Sequence, residues 1–107
     1  MFKINDEVWR VLLVSPNHPQ LQRSDGSYSI GACNNDTGCI YVNERLEESM
    51  LKKVICHEVA HAAMFSYDIY LEPAQEEILA DLIASYGHEI ISMTNKIFSR
   101  IKNRGTM

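Results

Sequence analysis

Residues 57–61 read His57-Glu58-Val59-Ala60-His61. This is the H-E-x-x-H spacing, in which one turn of helix supplies two zinc ligands and a general base. The chemistry dictates the spacing. On an α-helix, residues four apart point the same way and sit about 6 Å apart along the axis. Two imidazoles so placed can converge on one tetrahedral Zn²⁺ at about 2.0–2.1 Å each. Glu58 projects about 100° around the helix from His57, clear of both rings, where it can reach a water held by the metal. The bland alternative is a pair of packed histidines beside a solvated Glu58.

The motif needs a helix beneath it. Leu51, Val54, Ile55, Val59, Ala62 and Ala63 recur at helical spacing around it. Glu47 and Glu48 stand where a helix start favours negative charge. The spacing therefore predicts an amphipathic helix carrying the motif.

Two histidines do not complete a zinc site, and the next helical segment offers a third ligand. Leu71-Glu72-Pro73 reads as a helix entry with Pro73 near the first position. Ile78, Leu79, Leu82, Ile83, Tyr86, Ile90, Ile97 and Ile101 then form a helical stripe expected to face a core. Of the two acids at the front, Glu76 and Glu77, only Glu77 has an acid four positions on, Asp81. A short connection favours antiparallel neighbours. With Glu77 on the metal, antiparallel packing brings Asp81 towards His57, where it accepts the ring N–H that the metal does not use. Glu76 is expected to stay off the site. The alternatives are a Glu77 that merely complements the helix dipole and an Asp81 that is only solvated.

His57-Glu58-Val59-Ala60-His61 followed by Glu77-Ile78-Leu79-Ala80-Asp81 resembles the gluzincin pattern of zinc peptidases, H-E-x-x-H then E-x-x-x-D. The small size resembles the minigluzincins. The lead-in Cys39-Ile40-Tyr41-Val42-Asn43-Glu44-Arg45-Leu46 resembles the strand-then-helix entry of ImmA/IrrE-like metallopeptidases. The resemblance implies a zinc-dependent endopeptidase-like domain acting on proteins or peptides. It carries over His57, His61 and Glu77 as ligands, Glu58 as base, and Asp81 as the partner behind His57. Larger gluzincins use a further domain to stabilise the oxyanion, and a chain this short has no room for one. A domain that keeps the fold and zinc but is catalytically silent or latent, binding a protein partner, is the second reading.

Length and composition bound the rest. A chain of 107 residues reads as a single domain, 1–107. The net charge of −4 argues against a nucleic-acid partner. No segment has the roughly 18 apolar residues of a membrane span. Asn5, Asp6 and Glu7 interrupt any signal-peptide core, and three cysteines is an odd count, so a reduced, cytoplasmic chain is expected. Cys33 and Cys39 flank a turn; they are placed to pair if oxidised, or, less favoured, to offer the zinc a thiolate. Cys56 reads as a small buried residue.

The fold expected is α+β: a small, mainly antiparallel sheet of about three strands packed on two or three helices, zincin-like. Residues 8–14 read as a buried strand, with a short helix capped by Asn5 or Asp6 as the alternative. Residues 17–26 read as loop, and 27–33 and 38–43 as two strands around a turn. An edge near 38–43 is expected to wall the cleft and hold a peptide by β-augmentation. Tyr41, Tyr67, Tyr70, Tyr86 and His18 are the candidate oxyanion donors, and the residues do not choose among them. His88 lies about 16 Å along the helix from Glu77 and is read as structural or solvent-facing.

Overall fold

The computed structural model describes residues 1–104. The expected α+β architecture is found, with four strands rather than three. In chain order these are β1 (Phe2–Ile4), β2 (Glu7–Val14), a 3-10 turn (Pro19–Leu21), β3 (Gly31–Asn34), β4 (Cys39–Asn43), α1 (Glu48–Ser66) and α2 (Pro73–Arg104).

The sheet order is β1-β2-β4-β3. β1 pairs antiparallel with β2 through a tight turn in which Asn5 and Asp6 both take positive φ (49° and 65°). That is the geometry of a two-residue hairpin turn that follows the strand twist, and Asn and Asp tolerate it better than other side chains. The Asn5-Asp6 pair is thus a hairpin turn and not a helix cap. β3 and β4 form the second hairpin, in which Asn34 Oδ1 accepts from the amides of Asp36 and Thr37. β4 also pairs with β2, in parallel. It therefore lies inside the sheet, with Ile40, Tyr41 and Val42 buried. This overturns the expected edge at 38–43: β3, shorter than the 27–33 expected, is the edge strand.

The hairpin register also separates the thiols. Cys33 faces Ile40 and Cys39 faces Asn34. Adjacent strand positions point to opposite sides of a sheet, so the two cysteines cannot meet, and all three cysteines are free.

One face of the sheet packs on α1. Trp9, Ile40 and Val42 meet Val54 and Ala62 there, flanked by Leu51, Ile55 and Val59. The indole Nε1 of Trp9 donates to Ser66 Oγ at 2.9 Å, and Asn5 Nδ2 donates to the Ser66 carbonyl at 2.9 Å. The last turn of α1 is thereby tied to the first hairpin. The helix ends in a Schellman motif: Ile69 N–H reaches the Met64 carbonyl and Asp68 N–H the Phe65 carbonyl, with Asp68 at φ 56°.

α2 begins at Pro73, as expected, with the Gln75 side chain accepting from the Glu72 amide. Its main packing partner among the described residues is α1, met through Ala60, Met64, Leu79 and Ala80. Alanines at the crossing let the two backbones approach closely. α2 is far longer than its partner, about 48 Å against about 28 Å. Beyond the start of α1 it has nothing to lie on. Of the expected core stripe only Leu79 is part-buried: Ile78, Leu82 and Ile83 are exposed beside α1, as are Tyr86, Ile90, Ile97 and Ile101 further on. No helix among the described residues is long and apolar enough to cross a membrane.

Candidate metal centre

Antiparallel packing of α1 and α2 sets the site. His57 and His61 lie one turn apart on α1, opposite Glu76, Glu77 and Asp81 on the first turns of α2. Glu77 reaches both rings: its carboxylate oxygens are 3.1 Å from His57 Nε2 and 3.0 Å from His61 Nε2. The two Nε2 atoms are 3.1 Å apart. These three donors form a small triangle and the one group among the described residues placed to hold a metal ion. Cys33 is not part of it.

The other ring nitrogens identify what the triangle suits. His57 Nδ1 is 2.9 Å from Asp81 Oδ1, and His61 Nδ1 is 2.6 Å from Glu76 Oε1. A carboxylate only accepts, so each Nδ1 carries the proton and donates. With Nδ1 so engaged, a metal ion in the triangle would meet the Nε2 lone pair of each ring. Two lone pairs and a carboxylate converging within about 3 Å are a cation-binding set. Tetrahedral zinc at about 2.0–2.1 Å from each donor would need donor separations of about 3.3 Å. The triangle needs only a few tenths of an ångström to meet that.

Asp81 stands where the sequence placed it. Glu76 does not: it was expected to stay off the site, yet its side chain is the more buried of the two partners, 32 % exposed against 70 % for Asp81. A signal for it existed. Each ligating histidine needs an acceptor for its second nitrogen, and Asp81 serves only His57. The acid beside Glu77 was the remaining group in reach of His61.

Glu58 lies on the sheet side of α1 and is 7 % exposed. Burial pushes its carboxyl above the usual value, His57 and His61 pull it back, and Glu77 adds to the rise. It lines, with the metal-ligand set, an open groove of about 710 Å³. The roof of that groove is β3. The strand can sit so low because residue 31 is glycine: a Cβ there would lie 2.7 Å from Val54 Cγ1 and 3.1 Å from Glu58 Oε2. Cys33, also on β3, lines the groove as a protonated thiol, its pKa pushed up to about 12 by burial and by the charges of Glu58 and Glu76.

The candidate oxyanion donors are elsewhere. No tyrosine lines the groove among the described residues. Tyr41 is buried in β4 and stacks on His18, whose Nδ1 accepts from the Gln20 amide. The Tyr70 hydroxyl donates to Asp68, and Tyr67 and Tyr86 are exposed. His88 is solvent-facing, as expected.

A family model described as "Predicted Zn-dependent protease (DUF2268)" matches residues 1–84. The chain belongs to this family. The match spans the sheet, all of α1 and the turns of α2 that bear Glu76, Glu77 and Asp81, so the donor triangle lies within the matched stretch. No curated protein and no solved structure matches the chain.

Proposed function

We propose that the protein is a gluzincin-type zinc endopeptidase, with His57, His61 and Glu77 as ligands and Glu58 as general base. The observation that carries this reading is the donor triangle, backed at both imidazoles by carboxylates, with a buried glutamate one residue along from His57 under a sheet edge. Zinc bound there supplies Lewis acidity, activating a water and polarising a peptide carbonyl. Glu58 takes a proton from the attacking water as its oxygen bonds to the carbonyl carbon, then delivers that proton to the amine as the C–N bond breaks. Its raised pKa suits a group that must accept a proton and release it again within one turnover. Asp81 and Glu76 hold the two rings in the tautomer that ligation requires. The edge of β3 offers main-chain hydrogen bonds to an extended peptide, which favours protein or peptide substrates of many sequences.

The absence of a tyrosine from the described groove lining favours a second reading, a latent domain that binds zinc and a peptide without cleaving it. The test is direct. Zinc stoichiometry is measured on the purified protein and on Glu58→Gln, and both are assayed on casein. The peptidase reading expects one zinc in each and cleavage by the wild type only. Zinc in both with cleavage by neither selects the latent domain, and cleavage by Glu58→Gln removes Glu58 from its role.

A further inference from the structure

The groove is acidic around the triangle but not at its far end. Lys53 and Arg23 both line it. Lys53 is one helical turn before His57 and so lies on the same face of α1, about 6 Å further towards the helix start. Arg23 comes from the loop that returns to β3, closed by the Arg23 amide bonding to the Ser27 carbonyl and the Ser29 amide to the Leu21 carbonyl. Among the described residues, neither head group has a carboxylate within ion-pair distance; the ion pairs found all involve His57 and His61. Arg23 acts on Asp25 only at longer range, and Asp25 Oδ1 is taken by the Ser27 amide and hydroxyl, at 2.9 and 2.6 Å. Two unpaired cations therefore line a groove whose carboxylates, Glu58 apart, are bonded to the histidines, and Arg23, bonded to Ser27, stands where the chain enters β3.

The strand direction says which end. At Gly31 β3 lies over Val54 and Glu58, while Asn34 at its other end pairs with Cys39, beside Arg10 and next to the Trp9 that bonds Ser66 at the end of α1. β3 thus runs from the Lys53 end of the groove towards the His61 end. A peptide that adds to its edge in the antiparallel sense, the better-bonded pairing, runs the other way. Its residues after the metal centre lie over Val54, Lys53 and Arg23.

The geometry points to Lys53 and Arg23 as a carboxylate-selecting subsite, one that favours peptides with a carboxylate one to three residues after the bond held at the metal. This deepens the peptidase reading by naming its substrate class, and it also applies to a domain that binds without cleaving. The carboxylate can be an Asp or Glu side chain or the peptide's own C-terminus.

The test uses binding, so that it does not depend on activity. Zinc-loaded Glu58→Gln protein is titrated with fluorescent casein-derived peptides in four forms: Asp/Glu or Asn/Gln downstream, each with a free or amidated C-terminus. Acidic forms should bind roughly two to five times more tightly than neutral ones, the range of a solvated ion pair. The margin should shrink with added salt. It should vanish in Lys53→Glu and fall in Arg23→Ala, but persist in Lys52→Ala, a neighbouring lysine that does not line the groove. A margin that follows the free C-terminus alone assigns the subsite to chain ends, and one that follows the side chain assigns it to Asp and Glu. Equal binding of all four peptides, no measurable binding of any, or a margin untouched by Lys53→Glu overturns the subsite. A margin that behaves as described, in a protein whose wild type cleaves nothing, leaves the subsite standing and overturns the peptidase reading instead.

Discussion

His61 Nδ1 sits 2.6 Å from Glu76 Oε1, a shorter and more sheltered contact than the 2.9 Å between His57 Nδ1 and the exposed Asp81. Solvent screens a charged hydrogen bond in proportion to its exposure, so the two carboxylates are not equivalent. Losing a group behind a ligating histidine costs about 10–100-fold in metal affinity. Glu76→Ala should fall at the upper end of that range and Asp81→Ala at the lower end, measured by competition with a chromogenic zinc chelator. An Asp81→Ala loss equal to or larger than that of Glu76→Ala would show that burial does not rank them.

Zinc binding should also hold the helices together. The ligands come from both α1 and α2, and α1 is the main element that α2 packs on among the described residues. A metal that binds only the folded chain adds about 2.7 kcal/mol at a hundredfold excess over its Kd. For a domain of this size that raises Tm by roughly 10–20 °C, since each kcal/mol is about 4–8 °C. Thermal unfolding with zinc and with EDTA measures the increment. Glu77→Ala should lose most of it, and an unchanged increment would remove Glu77 from the ligand set.

The metal set was legible in the sequence because helical spacing is local. His57 and His61 needed only the 3.6-residue turn, and Glu77 with Asp81 needed only the assumption of antiparallel neighbours. What stayed hidden depends on partners distant in the chain or on turn chemistry. β1 is three residues long, and its turn carries Asn5-Asp6 where glycine would have announced it. The burial of β4 follows from parallel pairing with β2, which no local pattern encodes. The stripe on α2 has the right period at Tyr86, Ile90 and Ile97, but periodicity does not tell whether α1 is long enough to cover it. Asp68 ends α1 in a left-handed conformation that an L-residue rarely takes, so the Schellman motif had no glycine to mark it.

The orientation of α1 under the sheet should depend on one buried hydrogen bond. Trp9 is 1 % exposed, and its indole N–H has Ser66 Oγ as partner, with Phe65 edge-on at 6.2 Å. Ser66→Ala leaves that donor buried and unpaired, a cost of about 1–3 kcal/mol. Ser66→Thr keeps the hydroxyl and should recover part of it. Urea unfolding of the three proteins gives the ranking, and an alanine variant as stable as the wild type would show that the indole finds another acceptor.

The closeness of β3 to Glu58 rests on the missing side chain at position 31. An alanine Cβ would meet Val54 Cγ1 at 2.7 Å, a separation real structures do not tolerate, and Glu58 Cγ and Oε2 at 3.2 and 3.1 Å. Either the strand lifts or Val54 and Glu58 turn aside, and overpacking of this kind costs about 1–3 kcal/mol. The nearest atoms such a Cβ would meet belong to Val54 and Glu58 and to no metal ligand, so Gly31→Ala should bind zinc with wild-type stoichiometry. Casein cleavage, where the wild type shows it, should fall by about tenfold or more, because an ångström of misplacement at a reacting centre is worth up to about 10²-fold. Adding Val54→Ala removes the tighter of the two clashes while the Glu58 contact stays. The double variant should therefore regain stability more fully than cleavage. If it regained both alike, the contact with Glu58 would have no part in the loss, and the low roof would serve packing alone.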